Sequence, residues 1–134
     1  APHTFDEKNN NYIKCPSGGP MVQHSLNAMF EHYLSNRISL EKVVQKMCHN
    51  PAKLFNVKNR GFIRKNYYAD LVVLDPNQNY TVDKNNILYK CGWSPFEGTT
   101  FNSVITHTFV NGNLVYHNGK IDESVRGVKI VFNK

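Results

Sequence analysis

The chain has 134 residues, a formal net charge of +6, 40% hydrophobic and 12% aromatic content, and three cysteines. That length and apolar fraction suit one globular domain with a core and exclude a disordered or fibrous chain. No apolar run nears the roughly 20 residues of a membrane span, and Cys15, Cys48 and Cys91, far apart and without a CxxC pair, argue against a disulfide framework or a structural zinc site.

Residues 1–14 are polar, carrying His3, Thr4, Asp6, Glu7 and Lys8, with neither an initiating methionine nor a hydrophobic signal core. Such a start suits a processed product or a piece of a longer protein, and the expectation is a cytoplasmic protein with reduced thiols. Cys15-Pro16-Ser17-Gly18-Gly19-Pro20 sets two glycines between two prolines. It reads either as a shaped loop offering the N–H groups of Ser17, Gly18 and Gly19 to an anion or a polar ring edge, or as a plain connector into the next helix.

From Met21 the spacing is helical, with Val22, Leu26, Met29, Phe30, Tyr33 and Leu34 on an inward stripe and Gln23, Asn27, Glu31 and Ser35 on the other side. His24 and His32 lack the i,i+4 spacing of a helical metal site and read as ordinary surface or core histidines. Ser39 is an N-cap for a helix that turns Leu40, Val43, Val44 and Met47 inward and stops near Cys48-His49. Asn50 then caps a further turn with Pro51 in its first position, and Ala52, Leu54 and Phe55 pack back.

Lys58 to Lys65 is the densest basic patch, but the 16 Lys and Arg are otherwise spread from Lys8 to Lys134. No RNP-like or zinc-finger spacing accompanies them, so specific nucleic-acid binding is not expected. Within Arg60 to Asn77 the helical spacing gives way to strands. Gly61-Phe62-Ile63 reads as a short strand, Lys65-Asn66 as a turn with positive φ at Asn66, and Leu71 to Leu74 as a buried strand closed by Asp75-Pro76-Asn77. Tyr80-Thr81-Val82 is a short strand or edge, and Lys90 to Gly98 a second irregular loop whose Trp93 and Phe96 need burial. Ser103 to Val110 alternates, with Val104, Thr106, Thr108 and Val110 on one face and Ile105, His107 and Phe109 on the other. Asn111-Gly112 supplies a type I′ turn, Leu114-Val115-Tyr116 returns, Asn118-Gly119 is a second tight turn, and Val128 to Phe132 a last strand.

ADLVVLDPN (69–77), followed by THTFVNGNLVYHNGK (106–120), resembles the C-terminal signature of the metal-dependent amidohydrolases. With APHTFDEK, PSGGP, HNPAKLF and CGWSPFEGTTF in the same order, nearly the whole chain resembles dihydroorotase more than dihydropyrimidinases or allantoinases. The resemblance implies an α+β piece: residues 1–58 as the last helix and flanking loops of a (β/α)8 barrel, and residues 59–134 as strands of a composite β-sandwich. Asn66 departs from the pattern, since relatives often have glycine there, a change the turn absorbs.

In that family one or two zinc ions are held by an HxH pair, a carboxylated lysine, two more histidines and an aspartate. That aspartate lies two residues before the alanine matching Ala1. The resemblance therefore implies zinc in the full-length enzyme, no catalytic or metal-binding residue in this chain, and no activity from this piece alone. His3 matches the histidine that contacts the substrate carboxylate. Pro16, Ser17 and Gly18 match the loop that hydrogen-bonds the dihydropyrimidine ring. The implied reaction is metal-assisted hydrolysis of a cyclic amide, reversed in pyrimidine biosynthesis to close N-carbamoyl-L-aspartate into L-dihydroorotate. The implied partners are that small-molecule substrate and further copies in a homo-oligomer, with no nucleic acid or membrane. The alternatives are an allantoinase or dihydropyrimidinase-like hydrolase, or a non-catalytic scaffold of amidohydrolase fold.

Overall fold

The structure is a computed structural model and describes residues 3–133. Its first half is helical and its second half is antiparallel sheet, an α+β arrangement. Helix α1 (Phe5–Lys8) is a single turn held by a capping box, in which Thr4 accepts from the Glu7 N–H while the Glu7 carboxylate accepts from the Thr4 N–H. Helix α2 (Ser25–Leu34) starts four residues later than the apolar spacing suggests, and this leaves Val22 exposed. Phe30 is buried on the expected stripe, but Leu34 is exposed. Asn27, expected on the solvent side, is 3% exposed, because its amide donates to the Ser103 carbonyl and hydroxyl at 2.9 and 3.1 Å.

Ser39 caps α3 (Leu40–Val44) as expected, accepting from the Lys42 N–H. The helix does not then stop. It widens into a π-helical turn at Gln45–His49 and runs on as α4 (Asn50–Leu54), with Asn50 at φ −67 and ψ −43. Asn50 is therefore a helical residue and no cap. Pro51 lacks an N–H to continue the ladder, and the wide turn, closed by Asn50 N–H to the Gln45 carbonyl, takes up the change of register. Val43 and Ala52 are buried, whereas Leu40, Val44, Leu54 and Phe55 are exposed, contrary to the expected packing.

Gly61-Phe62-Ile63 forms no strand. At φ +78, Gly61 lies so close to the helix that an added Cβ would meet the Ala52 Cβ at 2.4 Å and the Cys48 carbonyl at 2.9 Å. Phe62 stacks on His49, with ring centroids 4.3 Å apart. Asn66 does take positive φ, at 68°.

Strand β1 (Leu71–Asp75) pairs with β4 (Val104–Val110), which pairs with β5 (Asn113–His117) and then β6 (Lys120–Ile121), all antiparallel; β2 (Tyr80–Thr81) and β3 (Thr100–Phe101) form a separate ribbon. β1 runs one residue past the expected Leu71–Leu74 and, as an edge strand, is not buried as expected: Val72 and Val73 are nearly half exposed. The strict alternation expected for β4 is broken. Val72 pairs with Thr108 and Leu74 with Ile105, so a bulge at Thr106 brings Ile105 round to the face of Thr108, and both line a cavity of about 330 Å³ against α2. Asn111-Gly112 and Asn118-Gly119 are both turns with two positive φ values. Val128–Phe132 makes one bridge, Val57 to Phe132, and not a full strand; it is tied to the first half through Lys58 N–H to the Val131 carbonyl and Asn133 N–H to the Asn56 carbonyl.

The buried apolar core comprises Phe30, Val43, Ala52, Val82 and Phe101. The accessible surface is 9806 Å², against about 7,200 Å² for a compact monomer of this mass. Exposed apolar side chains on the helices, on β1, on 128–132 and in loops at Tyr12, Ile13 and Ile63 contribute to the difference.

Candidate functional site

His3 precedes the Thr4 cap, so the capping box sets where it sits. Its Nδ1 lies 3.6 Å from Glu7 Oε2, and its Nε2 has no hydrogen-bond partner among the described residues. The Glu7 carboxyl is held below the usual carboxylate range, chiefly by the Thr4 backbone N–H. Two contacts draw the glycine loop to this turn. Lys8, on α1, donates its ammonium to the Pro16 carbonyl, and the Cys15 thiol donates to the Lys8 carbonyl at 3.3 Å. Gly18 takes φ 94, a conformation that glycine adopts without strain.

The link that sequence reasoning missed is Trp93. Its indole Nε1 donates to the His3 carbonyl at 2.8 Å, and its Cη2 lies 3.8 Å from where a Gly19 Cβ would be. One side chain from the Lys90–Gly98 loop therefore bonds to His3 and lies beside Gly19, next to Pro16–Gly18. Of the residues expected at the site, His3 is held by Trp93 and Pro16 by Lys8 of α1, while Ser17 and Gly18 follow Pro16 in the loop without a hydrogen bond to either. An indole in a loop bracketed by Gly92 and Pro95 signalled burial, but not its partner.

Trp93 is itself placed by a polar core. His24 is fully buried, with Nδ1 3.1 Å from the Ser94 hydroxyl and Nε2 3.5 Å from the Tyr80 hydroxyl. Tyr80, Tyr89, Phe96 and Phe101 surround its ring at centroid distances of 5.9 to 6.2 Å, and burial pushes its pKa below the ordinary histidine value. Gln23 donates to the Asn86 carbonyl and accepts from the Leu88 N–H, and its own N–H donates to Tyr89 Oη. The start of α2 thus fixes the whole 86–96 segment. His24 is a core residue, one of the two places its spacing left open.

Among the described residues no three His, Cys, Asp or Glu side chains converge. His107 and His117 stack across β4 and β5 at 4.5 Å between ring centroids, and Lys120 pairs with His117 on the other side. A zinc ion needs a more complete donor set, and these residues do not fit one. The arrangement around His3 offers one free imidazole nitrogen and loop N–H groups, which can hold and orient an anionic, ring-shaped ligand. No helix among the described residues is long and apolar enough to cross a membrane.

The profile of the amidohydrolase family matches residues 9–115. A dihydroorotase of Clostridioides difficile is 36% identical over 118 residues, covering 87% of this chain and 27% of that protein. A dihydroorotase of Pyrococcus furiosus is 30% identical over 131 residues, covering 98% and 30%. Among solved structures, the L-hydantoinase (dihydropyrimidinase) from Arthrobacter aurescens superposes with a TM-score of 0.74 at 31% identity, over 81% of this chain and 25% of that one. The chain thus spans between a quarter and a third of the length of these relatives.

Proposed function

We propose, for a chain that belongs to the amidohydrolase family, that it is the C-terminal portion of a dihydroorotase and supplies that enzyme's substrate-orienting residues. Residues 1–58 are read as the end of the barrel and residues 59–134 as strands of the composite sandwich. The observation that carries this reading is Trp93, which bonds to the His3 carbonyl and lies beside Gly19 in a chain similar to dihydroorotases along nearly its full length. The surplus of exposed apolar surface supports it too, since those faces suit packing against more protein.

In this reading zinc would be held by residues outside this chain and would supply water activation and polarisation of the ring carbonyl. His3 Nε2 meets the substrate carboxylate, and the Pro16–Gly18 backbone aligns the ring edge, so this chain contributes binding and alignment. The setting is cytoplasmic pyrimidine synthesis by a homo-oligomer. A second reading, hydrolysis of a hydantoin or dihydropyrimidine, is favoured by the likeness to the hydantoinase structure.

The test is His3→Ala in the zinc-loaded, longer protein. Loss of one hydrogen bond to an anion costs about 1.5–3 kcal/mol, roughly ten- to a hundredfold in KM or kcat/KM for dihydroorotate, with zinc content unchanged. A wild-type KM and kcat would overturn the assignment. Turnover of dihydrouracil that exceeds that of dihydroorotate would favour the second reading, because only dihydroorotate carries the carboxylate.

A further inference from the structure

The two Asn-Gly pairs, Asn111-Gly112 and Asn118-Gly119, both occupy hairpin turns with positive φ at each residue. Without a Cβ, a glycine nitrogen can approach the amide carbon of the preceding asparagine, so the two pairs are chemically alike as sequence. Their surroundings are not. Around the first turn, the Asn111 N–H donates to Asp70 Oδ1 at 2.8 Å and the Gly112 N–H to the Ala69 carbonyl at 3.0 Å. The Asn111 Oδ1 accepts from the Val128 N–H at 3.0 Å. The attacking nitrogen and the amide oxygen are both engaged, and the Asn111 Nδ2 is buried away from solvent.

At the second turn the Asn118 N–H donates to the Thr106 carbonyl at 3.0 Å, but the Gly119 N–H has no acceptor among the described residues. Asn118 is exposed, its Nδ2 lies 3.1 Å from Nε2 of the exposed His117, and β6 beyond the turn has two residues, both exposed. We propose that Asn118 is a spontaneous modification site that deamidates to aspartate and isoaspartate, while Asn111 stays intact in the folded chain.

In this reaction the Gly119 nitrogen, giving its proton to water, attacks Asn118 Cγ. The Cγ–Nδ2 bond breaks, and Nδ2 leaves as ammonia with a proton from solvent. Water then adds to either carbonyl of the five-membered imide. The C–N bond at that carbonyl opens, and the nitrogen regains a proton. One water is consumed, one ammonia is released, and nothing is oxidised or reduced. The reaction runs from a transiently opened turn. Opening costs little at a two-residue edge strand and much where Asp70, Ala69 and Val128 must all let go. The product places a carboxylate beside His117 and Lys120, and the isoaspartate form lengthens the main chain within a turn whose register depends on two residues.

The experiment is to incubate the longer protein in warm neutral buffer and map amide-to-acid conversion at each site by mass spectrometry of its peptides. Asn118 is expected to convert at least about tenfold faster than Asn111, because reactivity follows each turn's opening equilibrium. In urea, where both turns are lost, the two rates are expected to converge. Equal rates in the folded chain, or faster loss of Asn111, would overturn the proposal. So would a gap that persists in urea, since it would place the cause in local sequence and not in the fold.

Discussion

Trp93 Nε1 donates a hydrogen bond to the main-chain carbonyl of His3 at 2.8 Å, joining the start of the described chain to the loop before β3. Ser94, the next residue, is anchored to His24 inside the protein, so the position of His3 is set from the core outward.

Trp93→Phe keeps an aromatic ring but removes the only donor to that carbonyl on the indole. The expected loss is about 0.5–1.5 kcal/mol of stability from the hydrogen bond, plus a packing cost for the smaller ring. Hydrogen exchange should rise at Asn9 and Lys8, whose N–H groups close α1. Urea unfolding and exchange mass spectrometry measure both; unchanged exchange in α1 would show that Trp93 does not hold that turn.

Gly61→Ala should be far more damaging than Gly98→Ala. Both glycines have positive φ, but a Cβ at Gly98 meets nothing within 4 Å, while at Gly61 it would overlap Ala52 and the Cys48 carbonyl. Strain alone predicts about 1–2 kcal/mol at Gly98, and the clash adds about 1–3 kcal/mol more at Gly61. Chemical denaturation of the two variants gives the comparison directly.

Acid should weaken the fold first through His24. Its folded pKa lies below the ordinary 6.5, so below that value the unfolded chain binds a proton that the folded chain refuses. Stability is full above pH 6.5 and falls as pH drops through the window beneath it. Glu7 and Glu41, with lowered pKa values, and likewise Asp75 and Asp122, contribute stability that is lost only below the ordinary carboxylate values of 4.5 and 3.8. Between pH 6.5 and 4.5 the melting temperature should therefore decline, and His24→Gln, though less stable at neutral pH, should flatten that decline.

Asn27→Leu should cost about 1–3 kcal/mol, because it leaves the buried Ser103 carbonyl without its donor. Ser103→Ala in the same background should add less than it does alone, since the two side chains share one hydrogen-bonded contact. A double-mutant cycle by thermal or urea unfolding reads the coupling, and strict additivity would separate the two residues.

Elements with local causes were legible in the sequence. The Ser39 cap, β1 between Leu71 and Asp75, the β4–β5 hairpin and both Asn-Gly turns depend on residues a few positions apart, and each lies where the pattern put it. The motifs that identified the family are also contiguous, so they too could be read directly. For the candidate site, motifs named His3 and Pro16 to Gly18 as proposed contacts, but not the Trp93 bond to the His3 carbonyl or the Lys8 bond to the Pro16 carbonyl.

By itself, then, the sequence determined which segments turn, cap and pair, and which family they belong to. Tertiary structure alone decided burial and contact. Asn27 went inward because Ser103 offered it partners 76 positions away, Asn50 became helical because a π turn absorbed Pro51, and Gly61 left the strand pattern to lie against the helix. β1 stayed half exposed because sheet order put it at an edge, and the bulge at Thr106 overrode the alternation of β4. In each case the deciding partner is distant in the chain, and local periodicity carries no information about a group it cannot reach.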